Sequence, residues 1–217
     1  MHPRWGFIAV ASFSALAVIT MLVIFVGPLP GEWPMIHWAL AARSDALTRL
    51  IWLLTFISSA TPALLICVLA SGVGLLRLRA RRIVLSAGQI IAAGWPVIAF
   101  LGALACNIGM RIAIGRVRPS VDYIPHGLPE LQADFQRFSY PSGHAGAAMV
   151  AFTALAMLSA SRPRLRVLTM LGAALVIGGA GFGRVYLGVH WPTDVLAGYL
   201  LAVGWIGIGL YLRDKFG

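Results

Sequence analysis

Apolar positions run through this chain in long blocks with polar breaks between them, not in the alternation of strands or the one-sided stripe of a water-facing helix. Six blocks stand out, at about Phe7 to Val26, Phe56 to Leu76, Ile83 to Met110, His144 to Ala160, Val167 to Phe182 and Asp194 to Leu212. At ~1.5 Å per helical residue each is long enough, or nearly so, to cross a hydrocarbon layer of ~30 Å. The expected fold is therefore all-α, an integral membrane protein with six transmembrane helices forming a single domain over residues 1–217. Arg4 precedes the first block as it would in a secretory signal, but the block exceeds a usual signal core and no small-residue exit precedes Pro28, so it reads as a retained helix.

Composition agrees with the pattern: 59% of residues are hydrophobic and 11% charged, a mean hydropathy of +0.86 that few water-soluble domains carry. The seventeen Lys and Arg against seven Asp and Glu sit mainly in the breaks. Ten of those seventeen fall at the N-terminus, in 77–82, in 162–166 and in the tail, opposed by Asp214 alone. The other breaks hold seven basic and six acidic residues. Basic loops stay on the cytoplasmic side, so both termini are expected in the cytoplasm of a cell whose inner (plasma) membrane the chain crosses several times. The charge is a topology signal before it is a partner signal, and no nucleic-acid partner is expected. Cys67 and Cys106 both lie inside apolar blocks, where a thiol behaves as a small hydrophobe, which predicts neither a disulfide nor a zinc site.

Two connections lie on the non-cytoplasmic side. Gly27 to Thr48 contains Pro28, Pro30 and Pro34 and then a Trp38 to Leu47 stretch suited to lying along the interface, with Trp33 and Trp38 at headgroup level. Ser120 to Tyr140 is rich in Pro, Gly and acids and long enough to serve as a lid or a substrate-selecting loop, although many such loops only connect.

Three polar clusters press against the apolar blocks, all on that side, and ionisable groups there are functional candidates. The first is Arg111 to Pro119. Seven helical residues return Arg111 and Arg118 to nearly one face, so both can converge on one anion, while Arg116 points elsewhere. The second is Tyr140-Pro141-Ser142-Gly143-His144, in which Ser142 suits an N-cap, Gly143 admits a close ligand and the helix start offers N–H groups to an anion. The third is Gly183-Arg184 through His190 to Asp194. Pro192 suits the first helical turn, placing Asp194 where it can hydrogen-bond His190, fix its tautomer and leave the other ring nitrogen free. Singly, the first reads equally well as snorkelling arginines, and the other two more readily as a helix cap and a satisfied His–Asp pair. Together they make a site for a tetrahedral oxyanion with a nucleophile and an acid, suited to phosphoryl transfer.

The three clusters resemble the signature of the type 2 phosphatidic acid phosphatases, or lipid phosphate phosphatases: K-x6-R-P, P-S-G-H and S-R-x5-H-x3-D, here Arg111 to Pro119, Pro141 to His144 and Arg184 to Asp194. The resemblance implies a bacterial membrane enzyme that removes a terminal phosphate from a lipid. His190 would form a phosphohistidine, Asp194 would orient it, and His144 would protonate the leaving oxygen. Arg111, Arg118, Arg184, Ser142 and Gly143 would bind the phosphate, with no metal or other cofactor. Two positions depart from the signature: Arg111 stands for lysine, keeping charge but changing geometry, and Gly183 stands for serine, which removes a hydroxyl expected near the phosphate. Soluble vanadium haloperoxidases share the signature, but six apolar spans favour a substrate in the bilayer. Undecaprenyl diphosphate leads among the substrates, followed by phosphatidylglycerol phosphate, phosphatidic acid and lipid A phosphate. The alternative from another class is a transporter or flippase of an anionic lipid, which calls for charges near the bilayer midplane where these clusters are at one boundary.

Overall fold

The structure, a computed structural model, describes residues 4–81, 84–119, 138–159 and 163–217. Those residues form nine helices and no strand: α1 Arg4–Val26, α2 Glu32–Ala41, α3 Asp45–Ile57, α4 Ala60–Arg79, α5 Ala87–Ala93, α6 Trp95–Ile114, α7 Gly143–Met157, α8 Pro163–Tyr186 and α9 Pro192–Phe216. Five of them, α1, α4, α6, α8 and α9, are long and apolar enough to cross a membrane, and α7 is a shorter apolar helix of 15 residues. Large apolar side chains stand exposed on the outside of α1 (Phe7, 73%), α4 (Leu69, 69%), α6 (Ile112, 72%) and α8 (Leu175, 75%). So much outward apolar surface suits lipid and not water.

Two sequence expectations change. The block from Ile83 to Met110 is not one helix. Residues 82–83 lie outside the described set, α5 is capped by Ser86 and Gln89, and Gly94 closes α5 and opens α6. Pro96, in the first turn of α6, has no N–H to continue the α5 ladder and is tolerated where helix N–H groups lack partners anyway. The Trp38 to Leu47 stretch is likewise not one interfacial element. It spans the end of α2, a break at 42–44 and the start of α3, whose N-cap Ser44 accepts from the Leu47 N–H at 3.3 Å. Most of the 120–140 loop, read as long enough for a lid or a substrate-selecting loop or as a plain connection, lies outside the described residues.

The helix α9 is central, packing against α1, α5, α6 and α7, while α7 also packs on α4 and α8. Small residues permit this closeness. A Cβ at Gly198 of α9 would stand 2.3 Å from the Ser142 carbonyl oxygen, so glycine there lets the start of α7 lie against α9. At one end of the bundle Arg77 of α4 bonds the Leu158 carbonyl (2.9 Å) and the Trp5 indole bonds Asp214 (2.9 Å). At the other end the close of α6, the start of α7, the close of α8 and the start of α9 meet the α1–α2 connection. The three polar clusters are at this second end.

Candidate active site

Four chain segments reach the site. Helix α6 ends at Ile114, and Gly115 at φ +64° turns the chain out of the helix, a left-handed conformation that suits glycine. Arg111 is thus on the last turn of α6, whereas Arg118 is beyond the helix. The expectation that both share a helical face fails for this reason, yet the turn at Gly115 still brings Arg118 to the site. Its Nη1 donates to the carbonyl of Val189, the residue before His190.

Ser142 occupies the N-cap position of α7 but makes no side-chain capping bond. Its N–H donates to the Asp194 carbonyl at 2.9 Å, fastening the start of α7 to that of α9. Its Oγ is buried and has no hydrogen-bond partner among the described residues. The first intrahelical bond joins the Gly146 N–H to the Ser142 carbonyl, so the N–H groups of Gly143, His144 and Ala145 are among the donors a helix cannot satisfy internally. The Pro141 carbonyl accepts from Asn107 (3.0 Å) and from Arg111 (3.5 Å), which sets Arg111 beside Gly143.

Arg184 lies near the end of α8 and is wholly buried. Its carbonyl accepts from the Val189 and His190 N–H groups (3.1 and 3.2 Å), folding residues 187–191 back over it. Arg43 reinforces this corner, donating Nε and Nη2 to the Tyr186 carbonyl at 3.0 and 2.7 Å. Pro192 opens α9. Asp194, completely buried in its first turn, accepts from the Trp191 N–H at 2.9 Å through Oδ2, which also faces His190 Nδ1 at 3.4 Å.

His190, His144, Arg111 and Gly143 line one cavity of about 390 Å³. Its other walls are mainly apolar, including Phe100 and Leu104 of α6, Val150 of α7 and Leu201 of α9. The charges of Arg111, Arg118 and Arg184 all act on both imidazoles. Burial first, and then these three arginines and His144, hold the His190 imidazole well below its usual range. Its ring is therefore neutral near pH 7, with a lone pair available.

The structure thus brings together all eight sequence candidates: His190, His144, Asp194, Arg111, Arg118, Arg184, Ser142 and Gly143. It corrects two neighbouring readings. A Cβ at Gly183 would meet Ile51 Cγ2 of α3 at 2.8 Å, with Thr55 Oγ1 at 3.7 Å. A serine there would face α3 and not a phosphate, and glycine fits because Ile51 fills the space. Arg116, expected to point elsewhere, bonds Asp194 Oδ1 at 2.6 Å and Glu32 Oε2 at 2.7 Å. Glu32 appeared in the sequence only as a loop acid. Among the described residues no group of three or more His, Cys, Asp or Glu side chains is placed to hold a metal ion.

The family model for the PAP2 superfamily matches residues 92–217, which include all three polar clusters. The chain belongs to the PAP2 superfamily. Among curated relatives, this PAP2 chain is 36% identical over 110 residues to an undecaprenyl-diphosphatase of Sulfolobus acidocaldarius, covering 51% of this chain and 49% of that protein. A lipid A 1-phosphatase of Rhizobium etli is 34% identical over 116 residues, 52% of this chain and 46% of its own length. Phosphatidylglycerophosphatase B of Bacillus subtilis is 34% identical over 98 residues, 42% of each chain. The matched region is thus about half the length of these relatives. Over the whole fold, the crystal structure of a transmembrane PAP2-type phosphatidylglycerolphosphate phosphatase from Bacillus subtilis superposes with a TM-score of 0.75. It covers 96% of this chain and 97% of that one at 20% identity, a likeness of fold alone.

Proposed function

We propose that this PAP2 protein is a lipid phosphatase that hydrolyses a terminal phosphate from a membrane lipid through a phosphohistidine on His190. The observation that carries the reading is that three arginines act on two histidines, and that both rings and Arg111 line one apolar-walled cavity. Arginines and helix-start N–H groups stabilise the charge that spreads over the equatorial oxygens in phosphoryl transfer, and apolar walls accept the start of a hydrocarbon chain. The unpartnered Ser142 Oγ fits the same picture, because a buried hydroxyl without a partner costs about 1–3 kcal/mol and a phosphate oxygen would accept from it.

In the proposed mechanism Asp194 holds the Nδ1 side of His190, so the Nε2 lone pair attacks phosphorus while the lipid P–O bond breaks on the opposite side. His144, which takes up a proton from solvent once the bound phosphate offsets the arginine charges around it, gives that proton to the departing oxygen. Neutral His144 then takes a proton from water as that water attacks the phosphohistidine, which releases inorganic phosphate and restores both rings. Arg111, Arg118, Arg184 and the N–H groups around Gly143 hold the non-bridging oxygens throughout.

The names of the matched relatives support a prenyl diphosphate, a lipid A phosphate or a phosphatidylglycerol phosphate as substrate, and undecaprenyl diphosphate is the leading choice. Phosphate release by the purified protein across a panel of these lipids and phosphatidic acid ranks them. Release should persist in a metal chelator and fall with vanadate, which mimics five-coordinate phosphorus. Complete loss in chelator, restored by magnesium, would contradict the mechanism.

The α7 helix is proposed as a sixth span beside the five longer ones, in the inner membrane, with the site outside and both termini in the cytoplasm. The end opposite the site carries Arg4, Arg77, Arg79, Arg164, Arg166, Arg213 and Lys215, in line with cytoplasmic enrichment of basic residues. A reporter fused to the C-terminus should register cytoplasm, and a tail reachable only from outside would overturn this orientation.

A further inference from the structure

Arg116 fills one of the unspecified positions of the first motif, yet it is enclosed beside the reacting pair. Its Nη1 donates to Asp194 Oδ1 (2.6 Å) and Thr193 Oγ1 (2.7 Å), its Nη2 donates to Glu32 Oε2 (2.7 Å), and its guanidinium is 5.1 Å from the centre of the Trp191 ring. The side chains of Arg116, Glu32 and Asp194 are 7%, 4% and 0% exposed. Glu32 is itself anchored, accepting from the Thr193 N–H (3.1 Å) and Oγ1 (2.6 Å) and from the Leu29 N–H (2.7 Å). One guanidinium thus ties the start of α2 to the first turn of α9.

Resting on the reading of His190 as nucleophile and Asp194 as its orienting carboxylate, we propose that Arg116, held by Glu32, is a positioning residue that fixes Asp194 and balances its charge. The two carboxylate oxygens are divided: Oδ2 faces His190 and the Trp191 N–H, and Oδ1 faces Arg116. Gripped on both sides, the carboxylate cannot rotate away from the imidazole. A fully buried carboxylate next to a neutral imidazole needs a compensating charge, and Arg116 supplies it at bonding distance. Arg111, Arg118 and Arg184 act on the imidazoles and are assigned to the phosphate. Glu32 shares the guanidinium and so weakens the charge that Asp194 feels.

Opposite consequences follow for the two partners. Among the described residues, the groups facing the His190–Asp194 pair are Arg111 from α6, Arg116 and Arg118 from the segment after it, Tyr140 before α7 and His144 in its first turn, Arg184 from α8, and Glu32 from α2. Arg116→Gln removes a positive charge from this set, so the pair takes up a proton more readily and the acid limb of kcat/KM moves to higher pH. Glu32→Gln removes a negative charge, leaves Arg116 to Asp194 alone and moves the limb to lower pH. Shifts on the order of one pH unit are expected for charges at this range, and kcat/KM reports the free enzyme. Arg116→Lys keeps the charge but not the fork that spans two carboxylates, so its limb should lie near that of the wild type while kcat still falls.

The experiment is a pH profile of kcat/KM with an aryl phosphate in detergent, for wild type, Arg116→Gln, Arg116→Lys and Glu32→Gln. The substrate's own ionisation is common to all four. At neutral pH Arg116→Gln should lose roughly tenfold to a hundredfold in kcat with KM changed less than about threefold, the signature of lost positioning. Limb shifts of opposite sign support the proposal, whereas unshifted limbs, or shifts of one sign, overturn it. If Arg116→Gln does not fold, Glu32→Gln decides: a downward shift supports and none overturns. Phosphate release by the wild type without these shifts defeats this inference alone. A wild type that releases no phosphate from any substrate defeats the phosphatase reading and this inference with it.

Discussion

Alanine at His190 is expected to abolish phosphate release from every substrate, while alanine at His144 should be far less damaging when the leaving group needs no proton. The two imidazoles line one cavity, but their surroundings assign them different work. The Nδ1 of His190 faces Asp194 at 3.4 Å, which leaves Nε2 as the nucleophilic atom, and without it no phosphohistidine can form. The loss should reach about 10⁴-fold or more, as for other members of a catalytic unit, or roughly 5.5 kcal/mol at 1.4 kcal/mol per tenfold. His144 opens α7 and is assigned only the proton. On an alkyl phosphate His144→Ala should lose about 10²- to 10⁴-fold, the usual range for a general acid. On an aryl phosphate, which departs as a stable anion, most of that deficit should vanish. Measuring both variants on both substrates checks the assignment. A His144→Ala deficit equal on the two, with His190→Ala rescued by the better leaving group, would mean the roles are reversed.

Gly198→Ala should cripple the enzyme although residue 198 carries no chemistry. The added Cβ would lie 2.3 Å from the Ser142 carbonyl oxygen and 3.3 Å from its carbon, a clash of backbone with backbone that no rotamer relieves. The start of α7, with Ser142, Gly143 and His144, must move away from α9, which holds Asp194. Overpacking of this kind costs about 1–3 kcal/mol, and a displacement near 1 Å at reacting groups can cost on the order of 10²-fold in rate. Gly172→Ala is the control, since a Cβ there meets nothing within 4 Å and alanine suits a helix better than glycine by about 1 kcal/mol. Thermal unfolding in detergent together with kcat on a lipid phosphate tests the pair. Gly198→Ala with wild-type activity would show that the α7–α9 contact does not set the site.

Much of this arrangement was legible in the sequence where the information is local. Pro192 two residues after His190 and two before Asp194 is enough to place one outside α9 and the other in its first turn. The start of α7 could be read from Ser142-Gly143-His144 in the same way. What escaped depended on how the chain turns between elements. A helical phase carried through Gly115 pairs Arg111 with Arg118 and sends Arg116 away. The left-handed turn at Gly115 undoes that phase and redirects all later side chains. A glycine after an apolar helix is a stop signal, and the helical phase holds only up to Gly115. The break at Gly94, with Pro96 just after it, carried a similar signal inside a block read as continuous.

Glu32 was beyond such reasoning. It meets Asp194 through Arg116 across 162 residues of chain, a pairing set by tertiary packing and not by any local pattern. The space that Ile51 occupies beside Gly183 is of the same kind. Motif comparison shows serine replaced by glycine, but only the packing of α3 on α8 shows which way the missing side chain would have pointed. Single residues far from a motif that support its geometry are invisible to spacing and become visible in contacts.

The central claim, covalent catalysis by His190 on a lipid phosphate, is tested most directly by trapping the intermediate. Purified protein mixed with a lipid radiolabelled in its terminal phosphate is quenched in alkali within the first turnover, and the labelled peptide is sequenced. The account predicts an acid-labile, alkali-stable phosphate on His190, formed in wild type and in His144→Ala and missing from His190→Ala. Turnover of the labelled lipid without covalent phosphate, or with the label on His144, would contradict it.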